Sequence, residues 1–296
     1  MAPQDLEQQR VRDHYDAVAR RYGEQYRPSA GGAYPANSIR LQILLSRLVE
    51  SRCKRVYEVG VGEGTPLLEF ARAGLEVAGC DLSPEMVALA QENLRRAGLA
   101  PELVQVADIE DSATFANQLS GGSFDAVVAV GVLPHVADDK VFLRSIASLL
   151  TPGGRCFIEF RNAFFSLFTF NRLTKEFVLD DLLAGVSDDV REAVTEDLDR
   201  RLALEFPAVR SRPDGGPSYD EIRAKFHNPL KLLEEFEAAG FRDPVIHWYH
   251  YHPAPPMLET TIGAAFRREA LALEGQQSHW RGFFLCSAGV VEARLP

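Results

Sequence analysis

The sequence predicts a doubly wound α/β sheet carrying helical cap insertions. Three observations predict it. Short β-branched runs alternate with amphipathic helical patterns from Arg55 to Phe160, those runs are almost continuously apolar, and capping residues punctuate the helices between them. Continuous apolar runs suit parallel strands covered on both faces, and the alternation implies right-handed crossovers.

The strand candidates, in order, are "RVYEVGV" (55–61), "EVAGCD" (76–81), "ELVQVAD" (102–108), "FDAVVAVGV" (124–132) and "RCFIEF" (155–160). Between the second and third, Ser83 and Pro84 suit a helix start, Met86, Ala90, Leu94 and Ala97 form its stripe, and Gly98 suits its end. Asp138 and Asp139 open the next helix, with Phe142, Ile146, Leu149 and Leu150 on its apolar face and "TPGG" (151–154) as its stop. After Arg161 the rhythm breaks. Residues 163 to about 228 read as mostly helical, with Val190, Val194, Leu198 and Leu202 at helical spacing, interrupted by "RPDGGPSYD" (212–220). Asn228 and Pro229 start a further helix ending at Gly240, followed by strand-like "PVIHWYHYH", a second insertion and strand-like "FFLCSAGVVEA" (283–293).

Composition narrows the function. The 296 residues are 46% hydrophobic, enough for a sizeable core, and the formal charge of −10 disfavours a general nucleic-acid binder. The polar start has no apolar signal core, and no run approaches the ~20 apolar residues of a membrane span. The four cysteines form no CxxC pair, and a reducing cytoplasm is the simplest setting.

The loop "EVGVGEGT" (58–65) decides more. A Walker-type phosphate loop needs GxxxxGK, and there is no lysine here. A dinucleotide loop needs GxGxxG, whereas Gly60, Gly62 and Gly64 are spaced GxGxG and Glu63 brings a negative charge that a pyrophosphate disfavours. The run from Glu58 to Gly64 resembles motif I of the class I S-adenosylmethionine-dependent methyltransferases, (D/E)xGxGxG. That ligand has a sulfonium cation and an amino-acid tail in place of phosphates, so a carboxylate such as Glu58 suits it.

The resemblance extends through residues 55 to 160 and implies a role for each matching position. Asp81 ends the second strand nineteen residues beyond Gly62, where the family pairs an acid with both ribose hydroxyls; Leu82 and Met86 then flank the adenine. Asp108 and Ile109 end the third strand near the adenine amino group, and Val130 lies in the fourth-strand motif. "HYDAVARRYGEQY" (14–26) resembles a lid helix, with Tyr15 and Tyr22 toward the cofactor.

The implied fold is a seven-stranded, mostly parallel sheet with an antiparallel last strand. Residues 1–54 become N-terminal lid helices. Residues 55–162, 229–253 and 281–296 form the core, 163–228 a helical substrate cap and 254–280 a second insertion. The implied cofactor is S-adenosylmethionine, and no metal is expected.

Methyl transfer to a hydroxyl needs a base. His135, in "VLPHV" after the fourth strand, is one candidate; a structural or cofactor contact is its alternative. His250 and His252, one residue apart on a strand, are others, with Tyr249 and Tyr251 expected on the opposite face. Alternating histidines also suit a metal, but no acidic or cysteine partner is near in sequence; a substrate wall including Tyr249 is the better reading, and a structural role better than both. Arg161 and Asn162 end the fifth strand, where an arginine pairs either with a substrate carboxylate or phosphate or with an acid of the insertion. His227, at the return to the core, is a further pocket candidate.

These readings converge on a methyltransferase of a small metabolite, acting on a hydroxyl or carboxyl oxygen, with no nucleic-acid or membrane partner and with a homodimer left open. The alternatives are N- or C-methylation of a natural product or sugar, or a cofactor-binding relative without chemistry. A nicotinamide oxidoreductase is disfavoured by Glu63 and the GxGxG spacing.

Overall fold

The computed structural model describes residues 3–22, 34–115, 122–202, 204–205 and 218–296, and within the first helix the side chains of 6–19. The Tyr22 side chain and most of the loop expected over 212–220 lie outside the described residues. Helices α1 (Pro3–Tyr22) and α2 (Ala36–Glu50) precede the alternation. It then runs β1 (Arg55–Val59), α3 (Thr65–Arg72), β2 (Glu76–Asp81), α4 (Pro84–Arg96), β3 (Val104–Val106), α5 (Ser112–Phe115), β4 (Phe124–Ala129), α6 (Asp139–Leu149) and β5 (Leu150–Arg161).

The expected punctuation sits at the expected residues. Ser83 caps α4 by accepting from the Met86 N–H, Asp138 caps α6, and Gly98 leaves α4 with φ of 77°. The "TPGG" turn is a correction: α6 ends at Leu149 and β5 already begins at Leu150, so these residues start the strand.

The sheet order is β3-β2-β1-β4-β5-β7-β6. β7 (Cys286–Arg294) runs antiparallel to both β5 and β6 (Arg242–Tyr251), so β6 shares the direction of the first five strands. Strand order reverses between β1 and β4, which opens a crevice at their carboxyl ends. One face of the sheet packs Ile43, Leu67, Phe70 and Val87 from α2, α3 and α4, and the other packs Phe142 and Ile146 of α6 with Leu232 and Phe236 of the later helix over Pro229–Ala238.

After β5 the chain forms α7 (Ser166–Thr169), α8 (Arg172–Phe177) and α9 (Asp188–Arg201), then returns through α10 (Pro229–Ala238), capped by Asn228. Although Val190, Val194 and Leu198 are on α9 as expected, that helix buries no residue. Its apolar stripe is too sparse among its charges to pack under the core. Between β6 and β7 lie α11 (Glu259–Ile262), α12 (Ala264–Leu273) and α13 (Gly282–Leu285).

β6 departs from simple alternation. His250 adopts φ of 62°, a left-handed conformation that interrupts the pleat. Consequently Tyr249 packs with the α2–α4 layer and Tyr251 with the opposite one, correcting the expectation that they share a face.

Candidate functional site

The crevice at the ends of β1 to β4 holds a cavity lined by the loops after those strands. Its floor is the glycine loop after β1. Gly60 has φ of 73°, and a Cβ there would lie 2.4 Å from Cγ2 of Val132, so only glycine lets the loops after β1 and β4 meet. Gly62 (φ 53°) also lines the cavity, while Gly64 (φ 90°) sits at the N-terminus of α3 against Ala90.

Asp81 braces this loop. Its Oδ2 accepts from the Gly62 N–H at 2.8 Å and its Oδ1 from the Ser83 N–H at 2.9 Å. Burial pushes its carboxyl up to about 6, against the downward pull of those N–H donors. Leu82, Met86, Ile109 and Val130 supply apolar walls around it. Asp108 lines the far side, with Oδ1 accepting from the Glu110 N–H at 2.9 Å and Oδ2 from the Gln8 amide.

Glu58 lies beneath the loop, 1% exposed and outside the cavity lining. Its Oε2 has no hydrogen-bond partner, and burial raises its carboxyl well above the usual range in spite of Arg40 nearby. Glu63 differs from expectation: its backbone carbonyl and carboxylate both accept from Asn93 of α4, so its charge does not face the cavity. The case against a phosphate therefore rests on the loop spacing.

Helix α1 covers the opening. Gln8, Val11 and Tyr15 line the cavity, Asp16 accepts from the Ser83 hydroxyl, and Arg223 donates to Glu7. Tyr15 continues into a second cavity lined by His14, Asn37, Arg40, Glu159, Arg161 and Tyr219. Tyr15, Val130, Gly131 and His135 line both spaces and form the wall between them.

His135 is fixed at that wall. Its Nδ1–H donates to the Arg223 carbonyl, because a carbonyl can only accept; Nε2 is then the bare nitrogen and accepts from the Tyr15 hydroxyl at 3.0 Å. Burial lowers its pKa to about 4, against the upward pull of the Arg223 carbonyl, so the ring is neutral near pH 7.

Other candidates are placed elsewhere. His250 and His252 line neither cavity; they lie 4.7 Å apart between Tyr34, Phe165 and Phe266, sharing the Ser287 hydroxyl. Burial lowers them to about 4 and about 3. Tyr249, fully buried, donates to Glu159, and thus lies behind the second cavity. Asn162 is consumed by backbone: its amide donates to the carbonyls of Phe283 and Cys286 at 2.8 Å, and its oxygen caps Phe164. His227 faces Asp139 at 3.3 Å, outside both cavities. Arg161 does line the second cavity, its guanidinium 4.6 Å from the Tyr219 ring centre.

Sequence reasoning missed Arg40 and Glu159. Glu159 accepts from Arg40 Nη1 at 2.8 Å and from the Gly131 N–H at 2.6 Å, besides Tyr249. An acid inside "RCFIEF" was the available signal, since a charge in a buried strand requires partners.

Comparison with known proteins follows this geometry. Residues 57–158 match the family model described as "Methyltransferase domain". A ubiquinone biosynthesis O-methyltransferase of Xanthomonas axonopodis pv. citri is 36% identical over 150 residues, covering 51% of this chain and 60% of that relative. The counterpart from Xanthomonas euvesicatoria pv. vesicatoria is 35% identical over the same shares. The chain thus spans about 60% of the length of the curated relatives it matches. Magnesium protoporphyrin IX methyltransferase of Synechocystis PCC 6803, solved with bound SAH, superposes with a TM-score of 0.54 at 16% identity, covering 97% of this chain and 98% of that one. The same enzyme with bound SAM gives 0.54 at 16% identity over 98% and 97%. At that identity the likeness speaks for the fold. Residues 57–158 are thus similar to a methyltransferase domain, in keeping with the resemblance carried by the glycine loop and the strand-end acids.

Proposed function

We propose that this chain transfers a methyl group from S-adenosylmethionine to a hydroxyl oxygen of a small molecule. The observation that carries this reading is the pair of cavities divided by one wall, with the bare Nε2 of His135 in that wall. An oxygen acceptor is further supported by the O-methyltransferase activity for which the Xanthomonas relatives are named.

The first cavity fits the cofactor. Asp81 offers carboxylate oxygens to the ribose hydroxyls, Leu82, Met86, Ile109 and Val130 offer apolar flanks to the adenine, and Asp108 offers an acceptor at its edge. The Gly60 cradle permits close backbone approach, and the buried Glu58 lies beneath the loop. When bound, S-adenosylmethionine supplies a methyl group activated by the sulfonium. The protein's share is alignment, exclusion of water by α1, and removal of one proton. An acceptor hydroxyl takes the place of Tyr15 at Nε2 of His135, which receives the proton while Nδ1–H stays on the Arg223 carbonyl.

The division into lid (1–54), core (55–162, 229–253, 281–296), cap (163–228) and second insertion (254–280) belongs to the same proposal. Tyr219, from the cap, is part of the second cavity and supports it.

Calorimetry tests the cofactor: S-adenosylhomocysteine binds, and Asp81→Ala weakens it at least about tenfold through loss of two charge-assisted hydrogen bonds. Tight binding of NAD with no binding of either S-adenosyl ligand would overturn the reading. Transfer itself is checked by a 14-dalton-class mass gain (about one CH₂) on hydroxylated acceptors, by the stoichiometry of methyl-for-proton exchange.

A further inference from the structure

Resting on the methyltransferase reading, we propose that Arg223 is a positioning residue through which helix α1 sets which ring nitrogen of His135 is bare. The side chain and the backbone of Arg223 face different partners. Its guanidinium donates to the Glu7 carboxylate of α1, while its carbonyl accepts from Nδ1–H of His135. The Arg223 side chain is only 14% exposed and that of Glu7 53%. The pair therefore ties the early turns of α1 to the chain segment that carries the carbonyl. Lys225 N–H, donating to the Pro134 carbonyl at 2.8 Å, brings the same segment alongside His135, and the Glu7 pair adds a tie at Arg223 itself.

Of the two groups on the imidazole, the carbonyl is the one that discriminates. A tyrosine hydroxyl donates to a bare nitrogen and accepts from a protonated one, so Tyr15 at Nε2 tolerates either tautomer. A carbonyl oxygen only accepts, and so it favours the ring with its proton on Nδ1. A net hydrogen bond of ordinary strength biases the two forms by roughly tenfold. With α1 out of place the Arg223 carbonyl loses its tie, and the ring proton exchanges through water between the two nitrogens. A ring protonated at Nε2 presents a donor to the acceptor hydroxyl and cannot take its proton there. Docking of α1 thus arms the base as well as covering the cofactor space.

The test reads the tautomer directly, by side-chain ¹H–¹⁵N NMR of the full chain near pH 7, saturated with S-adenosylhomocysteine. The His135 signal is the one lost in His135→Gln. The unmodified protein is expected to carry its proton on Nδ1, favoured about tenfold. Glu7→Ala and Arg223→Met should bring the two tautomers toward equal population, and Arg223→Lys, whose ammonium still pairs with Glu7, should restore part of the bias. A tie that served stability alone would lower the unfolding midpoint without moving the proton. Because Glu7 is half exposed, Glu7→Ala decides the matter even if Arg223→Met misfolds, which its affinity for S-adenosylhomocysteine reports. A proton on Nε2 in the unmodified protein, or a tautomer ratio unchanged in Glu7→Ala, overturns the proposal. Failure of S-adenosylhomocysteine to bind the unmodified chain would instead overturn the reading beneath it, and the tautomer is then still read on the ligand-free protein.

Discussion

His135 owes its state to two neighbours and to burial. The Arg223 carbonyl selects the tautomer, and burial lowers the pKa to about 4, so the ring stays neutral throughout pH 6 to 8. The expected pH–rate profile therefore has no limb near the ordinary histidine value of about 6.5. His135→Gln should lower kcat by roughly 10²-fold, measured under saturating cofactor. For Asp81 the shift runs the other way. Its folded pKa of about 6 lies above the ordinary 3.8, so in the ligand-free protein its protonated form is favoured below 6. Ribose hydroxyls need the ionised form. Affinity for S-adenosylhomocysteine is expected to fall as pH drops below about 6, approaching tenfold per pH unit, and Asp81→Asn should flatten that dependence in calorimetry. Asp81 and Asp108 stand at the strand ends where the methyltransferase resemblance implies acids, and both line the first cavity. Arg40 was not legible, because an arginine in an amphipathic helix looks like any solvated charge until a distant Glu159 is brought beside it.

Among elements, α1 is tied down along its described residues by polar contacts through Glu7, Gln8, Tyr15 and Asp16, beside the buried Val11 and Ala19. Such a helix opens locally at low cost compared with a core strand. Hydrogen exchange of residues 6–19 is expected to slow on addition of S-adenosylhomocysteine, with the β1 and β4 amides little changed; no change in α1 would contradict the lid role. The central strands and the helices α4, α6 and α10 followed from apolar periodicity and caps. The face inversion within β6 did not, because nothing in "HWYHYH" marks His250 as the residue that takes φ of 62°. Asn162 and His227 stand at the expected strand end and return, yet the Phe283 and Cys286 carbonyls absorb the Asn162 amide and His227 faces the Asp139 carboxylate.

At the scale of the molecule, Glu292 joins elements far apart in sequence. Only 2% exposed, it accepts from Arg47 of α2 at 2.7 Å, Arg155 of β5 at 2.8 Å and His247 of β6 at 2.8 Å. Burial raises its carboxyl, but the bonds from His247 and Arg47 outweigh it and bring the pKa down to about 2. A folded pKa below the ordinary 4.5 gives stability that is present above 4.5 and lost as pH falls toward 2. Glu292→Gln is expected to cost about 3 kcal/mol in urea unfolding at pH 7, by stranding a partly buried cluster of bases, and to cost little at pH 2.

The shared wall has a kinetic consequence. Tyr15 belongs to the lid over the first cavity and also to the lining of the second. Under the proposed function, the space for the acceptor is complete only with α1 in place, and α1 in place bars the way to the glycine loop. Initial-rate kinetics are therefore expected to show a compulsory sequence, cofactor before acceptor, with the spent cofactor last to leave.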